Sequence, residues 1–308
     1  MCTIIMSNVM KIVQSFWTKP FFQSADFLLD SRLNGGWPAR KYNYFSWALS
    51  CLQLCAYYKD VGLVTDDLGK YMLIDKLQLP YTSVSVDLNK LEDYDAGLWA
   101  LGKIYAYSIQ EEPFLHVDGD IFIWRKFDDR INNAGLSAQN REIGLIEYAE
   151  TFDDIFKKFA FVPAYLKELE GVKYVACCNV GIIGGEDIPF FKRYTGEVFR
   201  FIDENRDSFR MHIKNMNTAY INIYYEQVIF NQLAKQNNKE ITYLFPDRLD
   251  VPKDVGYFHC ADAHGGFMHC LGTFKKNRQV YRMLEIKLRT LYPEYYQRIV
   301  DLTESSEI

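Results

Sequence analysis

The stretch Phe114-Leu-His-Val-Asp-Gly-Asp-Ile-Phe-Ile-Trp124 constrains the fold more than any other part of the chain. Two apolar runs, Phe114 to Val117 and Ile121 to Trp124, predict buried strands on either side of a tight corner, and Gly119 supplies the backbone freedom a corner needs. Asp118 and Asp120 are thereby held at a strand end. Two like charges beside a hydrophobic strand call for neutralisation, and a hard divalent cation with oxygen ligands provides it. A solvated Asp-Gly hairpin turn is the competing reading.

Upstream of this corner the pattern alternates. Lys11 to Trp17, Gly62 to Asp67 and Thr82 to Asp87 read as strands; Asn43 to Tyr58, Leu68 to Leu77 and Ala96 to Ile109 read as helices, and Asn34-Gly-Gly-Trp-Pro38 as a loop. Strand and helix alternating at these lengths indicate βαβ units and a parallel sheet, which binds ligands at the carboxyl ends of its strands. Asp66, Asp67, Asp118 and Asp120 all fall at such ends. Residues 128–170 are charged and irregular, consistent with a loop and helical excursion. Val172 to Cys178 then reads as a strand running into Asn179-Val-Gly181. Helices follow at Ile188 to Asn205, started by Asp187 and Pro189, and at Thr218 to Gln236. Ile241 to Phe245 and Gly256 to Cys260 read as further strands, and Arg278 to Asp301 as helix.

Composition narrows the setting. A net charge of −5 lacks the basic footprint of a nucleic-acid binder. Seven cysteines, with Cys51, Cys55, Cys177 and Cys178 inside apolar runs and no CxxC pair, indicate buried free thiols in a reducing compartment and no cysteine-built zinc site. Met1 to Lys19 lacks the basic start, long apolar run and small-residue cleavage site of a signal peptide, and no stretch of about 18 uninterrupted apolar residues occurs. The expected location is the cytoplasm, with membrane contact at most peripheral and residues 1–9 as a disordered lead. Aromatic residues make up 16% of the chain, enough to fill a core and leave some to stack on sugars or bases.

Four pieces in order carry a resemblance. The Asp118-Gly-Asp120 corner, with Lys103 on the helix before it, resembles the DxD motif of GT-A fold glycosyltransferases. Asn179-Val-Gly181 resembles the short Asn-x-Gly strand beneath the donor sugar in those enzymes. Glu226-Gln227 with Asn231 is similar to the Asp-Gln…Asn helix of glycosyltransferase family 8, and His269-x-x-Gly272-x-x-Lys275 to that family's His-x-x-Gly-x-x-Lys. The chain departs from the family where Glu226 replaces Asp and where Lys276-Asn277 stand in place of Pro-Trp.

The resemblance implies an α/β GT-A fold with a mostly parallel central sheet flanked by helices. One catalytic domain would span residues 10–280, with a nucleotide-binding half at 10–127 and a donor-sugar and acceptor half at 171–280, followed by a helical extension at 281–308. It implies transfer of a hexose from a nucleotide sugar, with a UDP-sugar the leading donor, to a carbohydrate acceptor with retention of configuration. Asp118, Asp120 and His269 would hold Mn²⁺ or Mg²⁺; His259 and His264 are rivals for the histidine place. Lys103 and Lys275 would neutralise the diphosphate, and Gly272 would admit the phosphates. Asn179 and Gly181 would line the donor, Gln227 and Glu226 would face the developing oxocarbenium ion, and Asp66 would contact ribose or base. Acceptor selection would lie in residues 128–170 and 205–218. A metal-dependent phosphohydrolase and a non-catalytic nucleotide- or glycan-binding domain are the alternatives.

Overall fold

The computed structural model describes residues 10–22, 33–143, 146–246 and 255–308; the expected lead at 1–9 lies outside them. Among the described residues there are nine strands: β1 (Lys11–Phe16), β2 (Val61–Thr65), β3 (Ser83–Ser85), β4 (Phe114–Val117), β5 (Ile121–Ile123), β6 (Ser137–Ile143), β7 (Ala176–Gly185), β8 (Thr242–Phe245) and β9 (Phe267–His269). Seven of them form a central sheet in the order β3-β2-β1-β4-β7-β6-β8, and β5 pairs with β9 in a second small sheet. Within the large sheet only β7 runs against the rest, so the sheet is mostly parallel. The α/β architecture predicted from the alternating pattern is the one observed. β2 and β4 are buried at every position, as strands covered on both faces must be.

Helices cover both faces. Leu101–Ser108, Ile188–Glu204 and the helical run at residues 218–236 pack Tyr107, Phe191, Tyr194 and Phe230 against Phe114 in one core. Helix Ile188–Glu204 starts as the sequence indicates, the Asp187 carboxylate accepting from the Phe190 amide at 3.1 Å with proline in the first turn. In the other large cluster, helix Arg40–Tyr57 meets Leu284, Leu288 and Ile299 of the C-terminal helices Arg278–Leu291 and Pro293–Glu304. Residues 281–308 thus contribute to a core shared with helix Arg40–Tyr57. No described helix is long and apolar enough to cross a membrane, and Cys51, Cys177, Cys178 and Cys270 are buried free thiols.

Several expectations are corrected. The excursion at 128–170 contains β6, an interior strand of the sheet, besides the helix Ile146–Lys158. Its sequence, Ser-Ala-Gln-Asn-Arg-Glu-Ile, has too few apolar residues to mark a strand by pattern. β7 begins at Ala176 and not at Val172, so Asn179 and Gly181 sit within the strand. Phe258–Cys260 is a 3-10 turn, and the strand of that region is β9. Residues 205–218 are mostly helical, with Phe209 and Ile213 buried in the core. The C-terminal helix is broken in two before Pro293, which has no amide proton to continue it.

Candidate metal and active site

Asp118 is where the chain leaves the large sheet. Its amide donates to the Gly181 carbonyl on β7 at 2.9 Å, and the Ile121 amide turns back onto the Asp118 carbonyl at 3.1 Å. Gln14 from β1 donates to the Asp118 carbonyl at 3.4 Å, and Ser46 donates to the Gly119 carbonyl at 2.8 Å. Trp47 lies so close beneath Gly119 that a β-carbon there would stand 2.8 Å from its ring. The corner is pinned on several sides. Because β4 and β5 belong to different sheets, it is not a hairpin turn, which removes that reading of the Asp-Gly pair.

β9 delivers the third candidate ligand. Ile121 of β5 is paired with His269, which places the imidazole beside the corner, with Nε2 3.4 Å from Asp120 Oδ1. One ligand atom from each of Asp118, Asp120 and His269 lies within 4.8 Å of the others, and this is the one group of its kind among the described residues. The rival histidines are elsewhere: exposed His259 stacks on Tyr257, and His264 packs edge-on to Phe245. Two carboxylates and an imidazole could hold a divalent cation.

Two lysines balance the acidic pair. Lys275 lies 2.8 Å from Asp120 Oδ2 and donates to the Gly35 carbonyl at 2.9 Å, so the Asn34–Gly36 turn, with its three positive φ angles, holds this lysine over the corner. Lys103 reaches both Asp118 oxygens at 3.0 Å and Glu226 Oε1 at 2.6 Å. Burial disfavours its charge, but Asp118 and Glu226 outweigh that and raise its pKa. Burial also raises the Asp118 carboxyl, with Lys103 opposing. For Asp120 burial pulls upward too, yet Lys275 outweighs it and holds the carboxyl well below the usual range. The corner therefore pairs one carboxylate strongly committed to its charge with one that is costly to ionise.

The remaining expected residues are distributed unevenly. Asn179 accepts from the Gly181 amide at 3.0 Å and donates to Glu142 at 2.9 Å. Glu226 and Gln227 lie on a π-turn, Tyr224–Val228, a feature that interrupts helices at functional positions. Glu226 is buried against Lys103, whereas Gln227 Oε1 is buried with no hydrogen-bond partner among the described residues. Gly272 has φ of 45° and open space at its β-carbon position, so its left-handed backbone explains the glycine. Asp66 caps the turn after β2: its oxygens accept from the Thr18 amide and hydroxyl at 2.8 Å and the Gly69 amide at 2.8 Å. Two residues missed in the sequence stand in the site, Gln139 and Glu142 of β6. Gln139 lies 2.6 Å from His269, while burial raises the half-buried Glu142 carboxyl. Recognising β6 as a strand would have found both.

A family model described as a family of unknown function, DUF6734, matches residues 10–302. The chain belongs to that family. No curated protein matches it. Among solved structures, this DUF6734 chain is similar to the glycosyltransferase GlyE of Streptococcus pneumoniae TIGR4 at 11% identity and a TM-score of 0.44, covering 96% of this chain and 64% of GlyE. It is similar to the bifunctional glycosyltransferase WbbM at 12% identity and a TM-score of 0.47, covering 96% of this chain and 52% of WbbM. For the galactosyltransferase LgtC, solved with donor and acceptor sugar analogs, the values are 11% and 0.42, with 96% of each chain covered. The DUF6734 chain thus spans less than two thirds of GlyE and about half of WbbM.

Proposed function

We propose that this chain is a metal-dependent glycosyltransferase of GT-A type, moving a hexose from a nucleotide sugar, with a UDP-sugar as leading donor, to a carbohydrate acceptor. The observation that carries this reading is the convergence of Asp118, Asp120 and His269 beside Lys275, at the carboxyl end of β4 in a mostly parallel sheet. Such ends are where α/β sheets receive nucleotide ligands. A divalent ion held by the three ligands would supply positive charge to the diphosphate as it leaves.

The protein's own groups complete the proposed chemistry. Lys275, already oriented by the Gly35 carbonyl, turns its ammonium from Asp120 towards the diphosphate. Lys103 links Asp118 to Glu226, coupling the corner to the π-turn. Gln227, whose amide oxygen has no partner among the described residues, faces the positive charge that develops at the anomeric carbon. Asn179 and Gly181 line the donor sugar and Gly272 the phosphate side. Retention is inferred from the resemblance, and no dedicated protein base is needed if the departing phosphate accepts the acceptor proton. The single Asp-Asp-His group among the described residues favours this reading over a phosphohydrolase with two metals.

Thermal unfolding with UDP, GDP, CMP and ADP, each with Mn²⁺ or with chelator, tests the proposal, because a ligand of the native state raises its apparent stability. The expected result is a shift with one nucleoside diphosphate only when Mn²⁺ is present, together with nucleotide-sugar turnover that Asp120→Asn abolishes. Undiminished turnover in Asp120→Asn, or no metal-dependent shift with any nucleotide, rejects it.

A further inference from the structure

We infer that Gln139 is a positioning residue that sets which nitrogen of His269 is presented to the metal, an inference that rests on the metal site proposed above. The sheet is irregular where β6 meets β7. Ala138 pairs with Ile183 and Asn140 with Asn179, so Gln139 alone stands opposite Val180, Gly181 and Ile182. A bulge of this sort re-aims side chains beside a site. Here it turns Gln139 towards the β5–β9 sheet, where the fully buried amide oxygen lies 2.6 Å from His269 Nδ1.

The amide is itself oriented. Gln139 Nε2 donates to Asn140 Oδ1 at 3.0 Å, which leaves Oε1 as the atom facing the imidazole. An amide oxygen can only accept, so the neutral ring must carry its proton on Nδ1 and donate it to Gln139. Nε2 is then a bare lone pair pointing at Asp120 Oδ1, 3.4 Å away. Two acceptors that face each other across that gap are favourable with a cation between them. Gly181 completes the arrangement by absence: a β-carbon there would stand 2.6 Å from His269 Nδ1 and 2.7 Å from Gln139 Oε1. Bulge, amide and glycine together commit His269 to coordination through Nε2, as outer partners of metal-bound histidines do.

The test compares Gln139→Met, which keeps the length and removes the acceptor, with Gln139→Glu, which keeps an oxygen at the same reach. Mn²⁺ binding to the full chain is followed by the electron paramagnetic resonance of the free ion, and the tautomer by ¹⁵N shifts of the histidine rings, with His269→Gln assigning the signal. The expected result is an Nδ1–H ring in the metal-free wild type, a Mn²⁺ dissociation constant about 10–100 times larger in Gln139→Met, and recovery in Gln139→Glu. Wild-type affinity in Gln139→Met, or an Nε2–H ring in the wild type, overturns the inference. If the wild type shows the Nδ1–H ring yet binds no Mn²⁺, the metal reading fails while the assignment of the tautomer to Gln139 stands.

Discussion

Gly181 on β7 lies against the imidazole of His269 on β9, so close that a β-carbon would stand 2.6 Å from Nδ1. The two residues are 88 positions apart in the chain and belong to different sheets. Gly181→Ala must push His269 or the bulge aside, at a cost of about 1–3 kcal/mol for overpacking a buried site. The variant should unfold at lower urea concentration and lose Mn²⁺ binding as well. Unchanged stability and Mn²⁺ affinity would show that the histidine has room to move.

The Lys103–Glu226 pair makes a separate prediction. Both side chains are largely buried, and Lys103→Met strands the Glu226 charge, whereas after Glu226→Ala the lysine keeps Asp118 as its partner. Lys103→Met should cost roughly 3–5 kcal/mol by equilibrium urea unfolding, whereas Lys103→Met combined with Glu226→Leu should recover part of that loss. Additive losses in the double variant would mean that the pair does not interact.

Lys275→Ala removes the cation shared by Asp120 and the Gly35 carbonyl. If Lys275 serves the diphosphate, the variant should bind UDP in Mn²⁺ about tenfold or more weakly, the equivalent of one charge-assisted hydrogen bond, and uridine as the wild type does. Calorimetric titration of both ligands decides it. Equal losses for UDP and uridine would refute the phosphate role.

Alkaline stability follows from buried tyrosines. Burial pushes Tyr44 and Tyr58 up to about 12 in the folded protein, against about 10 for an unfolded chain. An acid raised in this way contributes stability that is complete below the unfolded value and is lost as pH rises through the folded one. The urea midpoint should therefore fall between about pH 10 and 12. The Tyr44 hydroxyl donates to Met72 Sδ at 3.5 Å, a weak acceptor, so Tyr44→Phe should unfold like the wild type at pH 7 and show a shallower alkaline decline. An unaltered decline would assign the effect to other groups.

The C-terminal helices can be tested by cavity formation. Leu284 is fully buried in the cluster that includes helix Arg40–Tyr57, so Leu284→Ala should cost about 2–5 kcal/mol. Removing residues 278–308 should expose that face of helix Arg40–Tyr57 and prevent folding. A stable, monomeric truncated protein would instead establish an independent extension.

By itself, the sequence determined the alternation of strands and helices, the Asp118-Gly119-Asp120 corner and the run from His269 to Lys275, because each is local: periodicity, turn chemistry and residue type act over a few positions. It did not reveal β6, whose run of polar residues, Gln139 and Glu142 of the site among them, erases the apolar pattern that marks a strand. For the same reason Gln139 and Glu142 went unseen. Only the tertiary structure decided between His259, His264 and His269, since β9 pairs with β5 and brings one of the three to the carboxylates. It also showed Asp66 as a helix cap, Lys103 as a bridge between Asp118 and Glu226, and Gly181 as the space His269 occupies. These are relations between residues tens of positions apart. They depend on which strands pair and where a bulge falls, which no local pattern carries.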